Sequence, residues 1–125
     1  MNVRLVLMLG LASLAATASA QTIQLECGGV GLDDSERRLA EQPHHALTVI
    51  MATTTGSYIS GVQLAVEAPL ADKAAENSMC GPVGQVDVTE AGRYRVSASY
   101  GDETREQWVE LTPGGGKRLV MTWPD

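Results

Sequence analysis

Apolar and polar side chains alternate along residues 84–100, which run Gly84-Gln85-Val86-Asp87-Val88-Thr89-Glu90-Ala91-Gly92-Arg93-Tyr94-Arg95-Val96-Ser97-Ala98-Ser99-Tyr100. Because successive side chains of a β-strand point to opposite faces, this alternation predicts two strands, each with one buried face. The inward face of the second strand is predicted to consist of Tyr94, Val96, Ala98 and Tyr100. Ala91-Gly92 predicts the intervening turn, with Gly92 where a hairpin needs a positive φ or a close backbone approach.

Strand-like segments recur on both sides of this hairpin, with turn signals about every ten residues. Residues 46–52 are nearly continuously apolar and predict a central, buried strand. Alternation predicts further strands at residues 21–26, 58–67, 103–111 and 117–123. Residues 71–79 are ambiguous, because their alanines favour a helix whereas their spacing favours a short edge strand. About seven short strands without long intervening helices predict an all-β fold, an antiparallel β-sandwich.

Two stretches resemble the carboxypeptidase regulatory-like domain family. Tyr58-Ile59-Ser60-Gly61-Val62-Gln63-Leu64-Ala65-Val66 resembles the family's opening of an aromatic residue, a small loop and Gly-Val-x-Val. Residues 84–100 are similar to its hallmark hairpin, G-x-φ-x-φ-x-x-x-x-G-x-Y-x-V-x-A with φ apolar, although Glu90-Ala91 replaces the usual Leu-Pro. The resemblance covers residues 45–123. It implies a transthyretin-like (prealbumin-like) β-sandwich in a small exported bacterial protein that acts as a non-catalytic accessory.

The N-terminus has the three regions of an export signal in order. Met1-Asn2-Val3-Arg4 is positively charged, residues 5–14 are apolar, and Ala18-Ser19-Ala20 is a small-x-small cleavage site. These features predict a signal peptide at residues 1–20, cleavage between Ala20 and Gln21, and a periplasmic or secreted mature protein. Ten apolar residues are too short to cross a bilayer core of about 30 Å, so no membrane insertion is expected after cleavage.

The mature chain is expected to begin with an N-terminal segment at residues 21–43, called the lead, followed by the β-sandwich domain at residues 44–125. Asp33-Asp34-Ser35 predicts the start of one short helix in the lead, with Asp33 or Asp34 capping its free amides. Leu32 and Leu39 are placed so that both can face inward, and Pro43 ends the helix.

The charge balance excludes some partners. The 125-residue chain has 9 Lys and Arg against 15 Asp and Glu, a formal net charge of −6, and signal cleavage removes the cation Arg4. An acidic surface repels nucleic-acid phosphates and anionic lipid, so no nucleic-acid partner is expected. The basic pairs Arg37-Arg38 and Lys117-Arg118 are too short to reverse this repulsion locally.

Cys27 and Cys80 remain after cleavage, in a compartment that permits oxidation. They are predicted to form a structural disulfide, which in the chain-entropy model stabilises the fold by roughly 4 kcal/mol. A redox pair or a metal site are the alternatives. The chain has no C-x-x-C motif, however, and two thiols supply only half of a zinc site.

His44-His45 is the only imidazole pair and a weak candidate for a metal site or an enzyme centre. On a strand the two rings point to opposite faces, so a third ligand such as Asp33 or Asp34 would be needed. No serine lies in a nucleophile-elbow pattern, and the glycine runs lack the lysine of a phosphate-binding loop. The sequence therefore predicts a non-catalytic protein without a cofactor.

Trp108 is the main candidate for a partner contact. By strand alternation it faces away from Val109 and Leu111, and an exposed indole often marks a contact with a protein or a sugar. The alternative is that Trp108 lies beneath the N-terminal helix. Tyr58 and Tyr100 are further candidates for partner contact.

These observations predict a non-catalytic, exported β-sandwich module that binds a protein of the cell envelope. The contact would use a sheet edge or the face that carries Trp108. One alternative is a carbohydrate-binding module that uses Trp108, Tyr58 or Tyr100. The other is a metal-binding protein or enzyme centred on His44 and His45.

Overall fold

The computed structural model describes residues 21–125, and the predicted signal peptide lies outside the described residues. This part of the chain forms eight strands and one α-helix, with single 3-10 turns at Gln42–His44 and Pro69–Ala71. In chain order the elements are β1 (Ile23–Gly28), α1 (Leu32–Ala40), β2 (Leu47–Thr53), β3 (Val62–Ala68), β4 (Lys73–Cys80), β5 (Val83–Val88), β6 (Gly92–Tyr100), β7 (Glu103–Leu111) and β8 (Lys117–Trp123).

The strands form two four-stranded sheets that pack face to face. Sheet 1 has the order β1-β5-β2-β8, and sheet 2 has the order β4-β3-β6-β7. The predicted all-β sandwich is confirmed, with two differences. The ambiguous residues 71–79 contribute the additional strand, β4, which pairs with β3 at the edge of sheet 2. The sandwich is also not wholly antiparallel, because β8 returns to lie parallel to β2.

Alternating side chains build the core between the sheets, as the sequence predicts. Tyr94, Val96 and Ala98 on β6 are buried, and β2 is buried along nearly its whole length. Tyr100 was predicted to face inward, but it remains 42% exposed. It lies at the last position of β6, where the sandwich ends, and its ring meets Trp123 edge-on.

The hairpin predicted over residues 84–100 does not form, because β5 belongs to sheet 1 and β6 to sheet 2, and Gly92 does not have the role predicted for it. Gly92 has no positive φ, and a Cβ added to it would come no closer than 4.0 Å to another atom, Cε1 of Tyr94. The tight turn of this meander lies between β6 and β7 instead, where Gly101 has φ 64°. Glycine is required there because an L-residue with a side chain rarely adopts this conformation.

Helix α1 packs on β1 and β5, on the outside of sheet 1. The capping prediction is wrong, because no side chain caps the helix. The Asp34 carboxylate accepts a hydrogen bond from the Gly29 N–H at 2.6 Å instead, which fastens the incoming loop. Leu39 is half-buried, whereas Leu32 is 71% exposed and does not face the core.

The lead is joined to the sandwich in two ways. Strand β1 pairs along its full length with β5, from Ile23 opposite Val88 to Gly28 opposite Val83. The predicted disulfide is confirmed: Cys27 at the edge of sheet 1 is bonded to Cys80 at the edge of sheet 2. It ties the two sheets together along one side. No helix within residues 21–125 combines the length and the apolar character that crossing a membrane requires.

Candidate functional site

The outer face of sheet 2 carries Trp108 on β7. In the strand register Trp108 lies opposite Arg95 on β6, and Arg95 lies opposite Glu67 on β3, so the three side chains form one row across the sheet. Trp108 is 42% exposed. We call this row, together with Arg93 and Glu106, the Trp108 face.

Two guanidinium groups lie against the Trp108 indole. The central carbon of the Arg93 guanidinium is 4.9 Å from the ring centroid, and that of Arg95 is 5.5 Å from it. Such cation–π contacts contribute about 0.5–1 kcal/mol at exposed sites. These two contacts hold the indole against the surface of sheet 2.

The two arginines differ in their other contacts. Arg95 is held by Glu67, whose Oε1 lies 2.8 Å from Nη2, and more distantly by Glu106 at 3.8 Å from Nε. Arg93 forms no ion pair with any carboxylate of residues 21–125, although Glu110 lies directly across the strand pair. Within residues 21–125 its N–H groups donate no hydrogen bond, so they can meet an acceptor from outside the chain.

Trp108 does not lie beneath the N-terminal helix, which was the alternative placement. Helix α1 packs on β1 and β5, which belong to sheet 1, whereas Trp108 is on sheet 2. The other candidate aromatics are elsewhere. Tyr58 lines a shallow apolar groove of about 380 Å³ with Val30, Leu32 and Pro82, and Tyr100 contacts Trp123 at the end of the sandwich. The structure does not bring Trp108, Tyr58 and Tyr100 together.

The histidine candidates do not share one set of neighbours. His44 is exposed at the end of the 3-10 turn, whereas His45 Nδ1 lies 2.8 Å from Asp87 Oδ2 and its Nε2 lies 4.0 Å from Glu41 Oε1. Asp34, one of the suggested third ligands, is bound to Gly29, Arg37 and Arg38. In the part of the chain that the structure describes, no three His, Cys, Asp or Glu side chains are grouped as metal ligands.

A polar network beneath α1 was not predicted from the sequence. The Gln85 side chain is buried on the outer face of sheet 1, where its Nε2 donates to the Arg38 carbonyl at 2.8 Å and its Oε1 accepts from Arg38 Nη1 at 3.3 Å. Hydrogen bonds from Arg38, Gly29 and Arg37 hold the pKa of the Asp34 carboxyl well below its ordinary value. The two hydrogen bonds between Arg38 on α1 and Gln85 on β5 attach the helix to the sheet.

Comparison with known proteins finds no relative of this chain. No protein-family model matches the chain, and neither a curated protein nor a solved structure matches it. The Trp108 face is the candidate site because it carries an exposed indole flanked by two guanidinium groups.

Proposed function

We propose that this protein is a non-catalytic, exported β-sandwich module that binds a protein of the cell envelope through the Trp108 face. The observation that carries the proposal is the half-exposed indole of Trp108, ordered by Arg93 and Arg95 on a sheet face that α1 leaves open.

The chemistry of this face is that of a binding hot spot. Tryptophan and arginine are the residue types that most often dominate interface energies, and they do so near the centre of a contact. Ordering flexible side chains on binding costs free energy. Because Glu67 already holds Arg95, and Arg95 already contacts Trp108, part of that cost has been met in the free protein.

Export and family membership are also parts of the proposal. The order of charged, apolar and small residues in residues 1–20 supports export, as does the Cys27–Cys80 disulfide, since disulfides persist in oxidising compartments. The Gly84–Tyr100 motif and the sandwich fold support a carboxypeptidase regulatory-like domain of the transthyretin-like type. Accessory binding modules are what this resemblance implies.

Site-specific photo-crosslinking in intact cells tests the proposal. A photo-reactive residue is introduced at Ser97, which lies on β6 two positions beyond Arg95 on the same face, and the control position is Gln24 on the exposed outside of β1. The expected result is a discrete crosslinked envelope protein from position 97 and none from position 24.

A second substitution connects the crosslink to the indole. Trp108→Ala should abolish the crosslink from position 97, whereas Leu70→Ala, which removes a fully exposed apolar side chain elsewhere, should leave it unchanged. The proposal fails if position 97 captures nothing, or if its crosslinked protein persists in Trp108→Ala.

A further inference from the structure

Strand β8 is an edge strand whose outer side is largely open. It pairs with β2 on one side only and ends the order of sheet 1. Lys117, Arg118, Val120 and Thr122 are exposed along it, and Val120 is 50% exposed. An edge strand presents unpaired N–H and C=O groups that can pair with another extended chain.

The direction of these backbone groups follows from two hydrogen bonds. The Trp123 carbonyl accepts a hydrogen bond from the N–H of Thr54, the residue that directly follows β2 and thus lies on the paired side of β8. The Thr122 carbonyl accepts one from Arg105 Nε of sheet 2, on the other side of the strand. Backbone groups of successive strand residues point alternately to the two sides. Arg118 and Val120 lie four and two positions before Thr122, so their N–H and C=O groups point to the same, open side of β8.

The charge of this edge is opposite to that of the chain. Lys117 and Arg118 are both exposed, neither forms an ion pair with a carboxylate of residues 21–125, and β8 carries no acidic residue. The other arginines of the described chain, except Arg93, are paired with Asp or Glu. Lys73 at the start of β4 is likewise unpaired within residues 21–125, so β8 is distinguished by two adjacent unpaired cations in a protein of net negative charge.

Two of the other edge strands, β1 and β4, have features that disfavour pairing with an additional strand. The Cys27–Cys80 disulfide holds β1 and β4 against one another. Strand β4 also has a register shift opposite Val62 and Leu64, and its Met79 N–H is bonded to the Asn77 side chain at 2.9 Å. Irregularities of this kind discourage edge pairing. The remaining edge, β7, carries Glu103, Glu106 and Glu110 and would repel an acidic chain.

We propose that β8 accepts an acidic, extended segment of a partner protein as an additional strand of sheet 1. Backbone hydrogen bonds to Arg118 and Val120 would supply the pairing, the Val120 side chain would pack against an apolar residue of the segment, and Lys117 and Arg118 would pair with its carboxylates. This site is separate from the Trp108 face, which lies on the other sheet.

Arg118 and Val120 lie on one face of β8 and Lys117 on the other, so the probe must present both Glu and Val on each face. It is a short, fluorescently labelled synthetic peptide that repeats Glu-Glu-Val-Val and is long enough to span β8 (the Glu-Val peptide). Its matched control repeats Lys-Lys-Val-Val (the Lys-Val peptide). Binding to the mature protein is measured by fluorescence anisotropy. The Glu-Val peptide should bind, and the Lys-Val peptide should bind at least tenfold more weakly. Failure of the Glu-Val peptide to bind, or equal binding of both peptides, would overturn the proposal.

Two variants locate the site. Val120→Pro removes an N–H that points to the open side, which an edge strand tolerates, and should weaken binding of the Glu-Val peptide at least tenfold, whereas Val120→Thr should not. The double variant Lys117→Glu/Arg118→Glu changes exposed side chains only and should give a similar loss. Binding that persists in both Val120→Pro and the double variant contradicts the proposal.

Two further outcomes separate this site from other possibilities. Trp108→Ala should leave peptide binding at β8 unchanged, so the envelope-partner proposal and this one can fail independently. If sedimentation of the free protein shows a dimer that Val120→Pro dissociates, a second copy of the chain covers β8 and the proposed acidic segment is wrong.

Discussion

The indole Nε1–H of Trp123 donates a hydrogen bond to the backbone carbonyl of Glu103 at 3.1 Å, which connects the end of β8 in sheet 1 to the start of β7 in sheet 2. Arg105 reinforces the contact from β7, because its Nε donates to the Thr122 carbonyl at 3.0 Å. Cys27–Cys80 joins the sheets on the opposite side of the sandwich. The two sheets are therefore fastened along both sides, covalently on one and by side-chain hydrogen bonds on the other.

Replacing Trp123 by Phe should lower the free energy of unfolding by about 1–3 kcal/mol. The substitution removes the hydrogen bond to Glu103 and reduces the volume of a side chain that is only 2% exposed. Urea denaturation monitored by circular dichroism measures the effect. Trp108→Phe is the matched control and should change stability much less, since that indole is 42% exposed and donates no hydrogen bond within residues 21–125. Equal losses in both variants would contradict this assignment.

Local alternation made most strands predictable from the sequence. The core residues Val62, Leu64 and Val66 recur at every second position of β3, and the same period marks Leu119, Met121 and Trp123 on β8. A period of two, however, identifies the buried face without identifying the neighbouring strand. The parallel pairing of β8 with β2 depends on how the sheets assemble, and nothing in residues 117–123 encodes it locally.

The candidate site was predictable only in part, for the same reason. Alternation placed Trp108 on the face opposite Val109 and Leu111, and the structure agrees. The position of α1 on sheet 1, and hence the openness of the Trp108 face, depends on long-range contacts such as that between Arg38 and Gln85. The two residues are 47 positions apart in the sequence, so no local sequence pattern relates them.

Removing the disulfide should destabilise the protein substantially without changing its fold at low temperature. The bond closes a loop between residues 53 positions apart, and loss of a native disulfide from a small domain typically costs about 2–5 kcal/mol. The double variant Cys27→Ala/Cys80→Ala should show this loss in thermal unfolding. Adding a reductant should lower the melting temperature of the wild-type protein and leave that of the double variant unchanged. A reductant effect on the double variant would mean that the bond is not the cause.

Gly84 should be intolerant of a methyl group, whereas Gly92 should accept one. A Cβ on Gly84 would lie 2.7 Å from Leu64 Cδ2 and 3.3 Å from Cys80 Sγ, inside the core, so Gly84→Ala should cost about 1–3 kcal/mol. At Gly92 the nearest atom would be 4.0 Å away, and φ is not positive there. Gly92→Ala should therefore change the urea midpoint little. A large loss of stability in Gly92→Ala would instead support the positive φ or close backbone approach that the sequence predicts at Gly92.

Acid should weaken the attachment of α1 through Asp34. The pKa of this carboxyl is lowered chiefly by the hydrogen bond from Arg38, then by the Gly29 N–H and by Arg37, so in the folded protein it lies below the ordinary value of 3.8. A carboxyl whose pKa is depressed by folding stabilises the native state at pH above that ordinary value, and the contribution is lost as the pH falls toward the folded pKa. Asp34→Asn should therefore be less stable than the wild type at neutral pH, and the difference should shrink below about pH 4. Denaturant midpoints measured across this range give the comparison.

The control is Asp33→Asn, because the native Asp33 carboxylate forms no hydrogen bond or ion pair within residues 21–125. Its denaturant midpoints should follow those of the wild type at every pH. A gap between wild type and Asp34→Asn that stays constant down to pH 2 would show that the carboxylate's charge does not hold the helix in place.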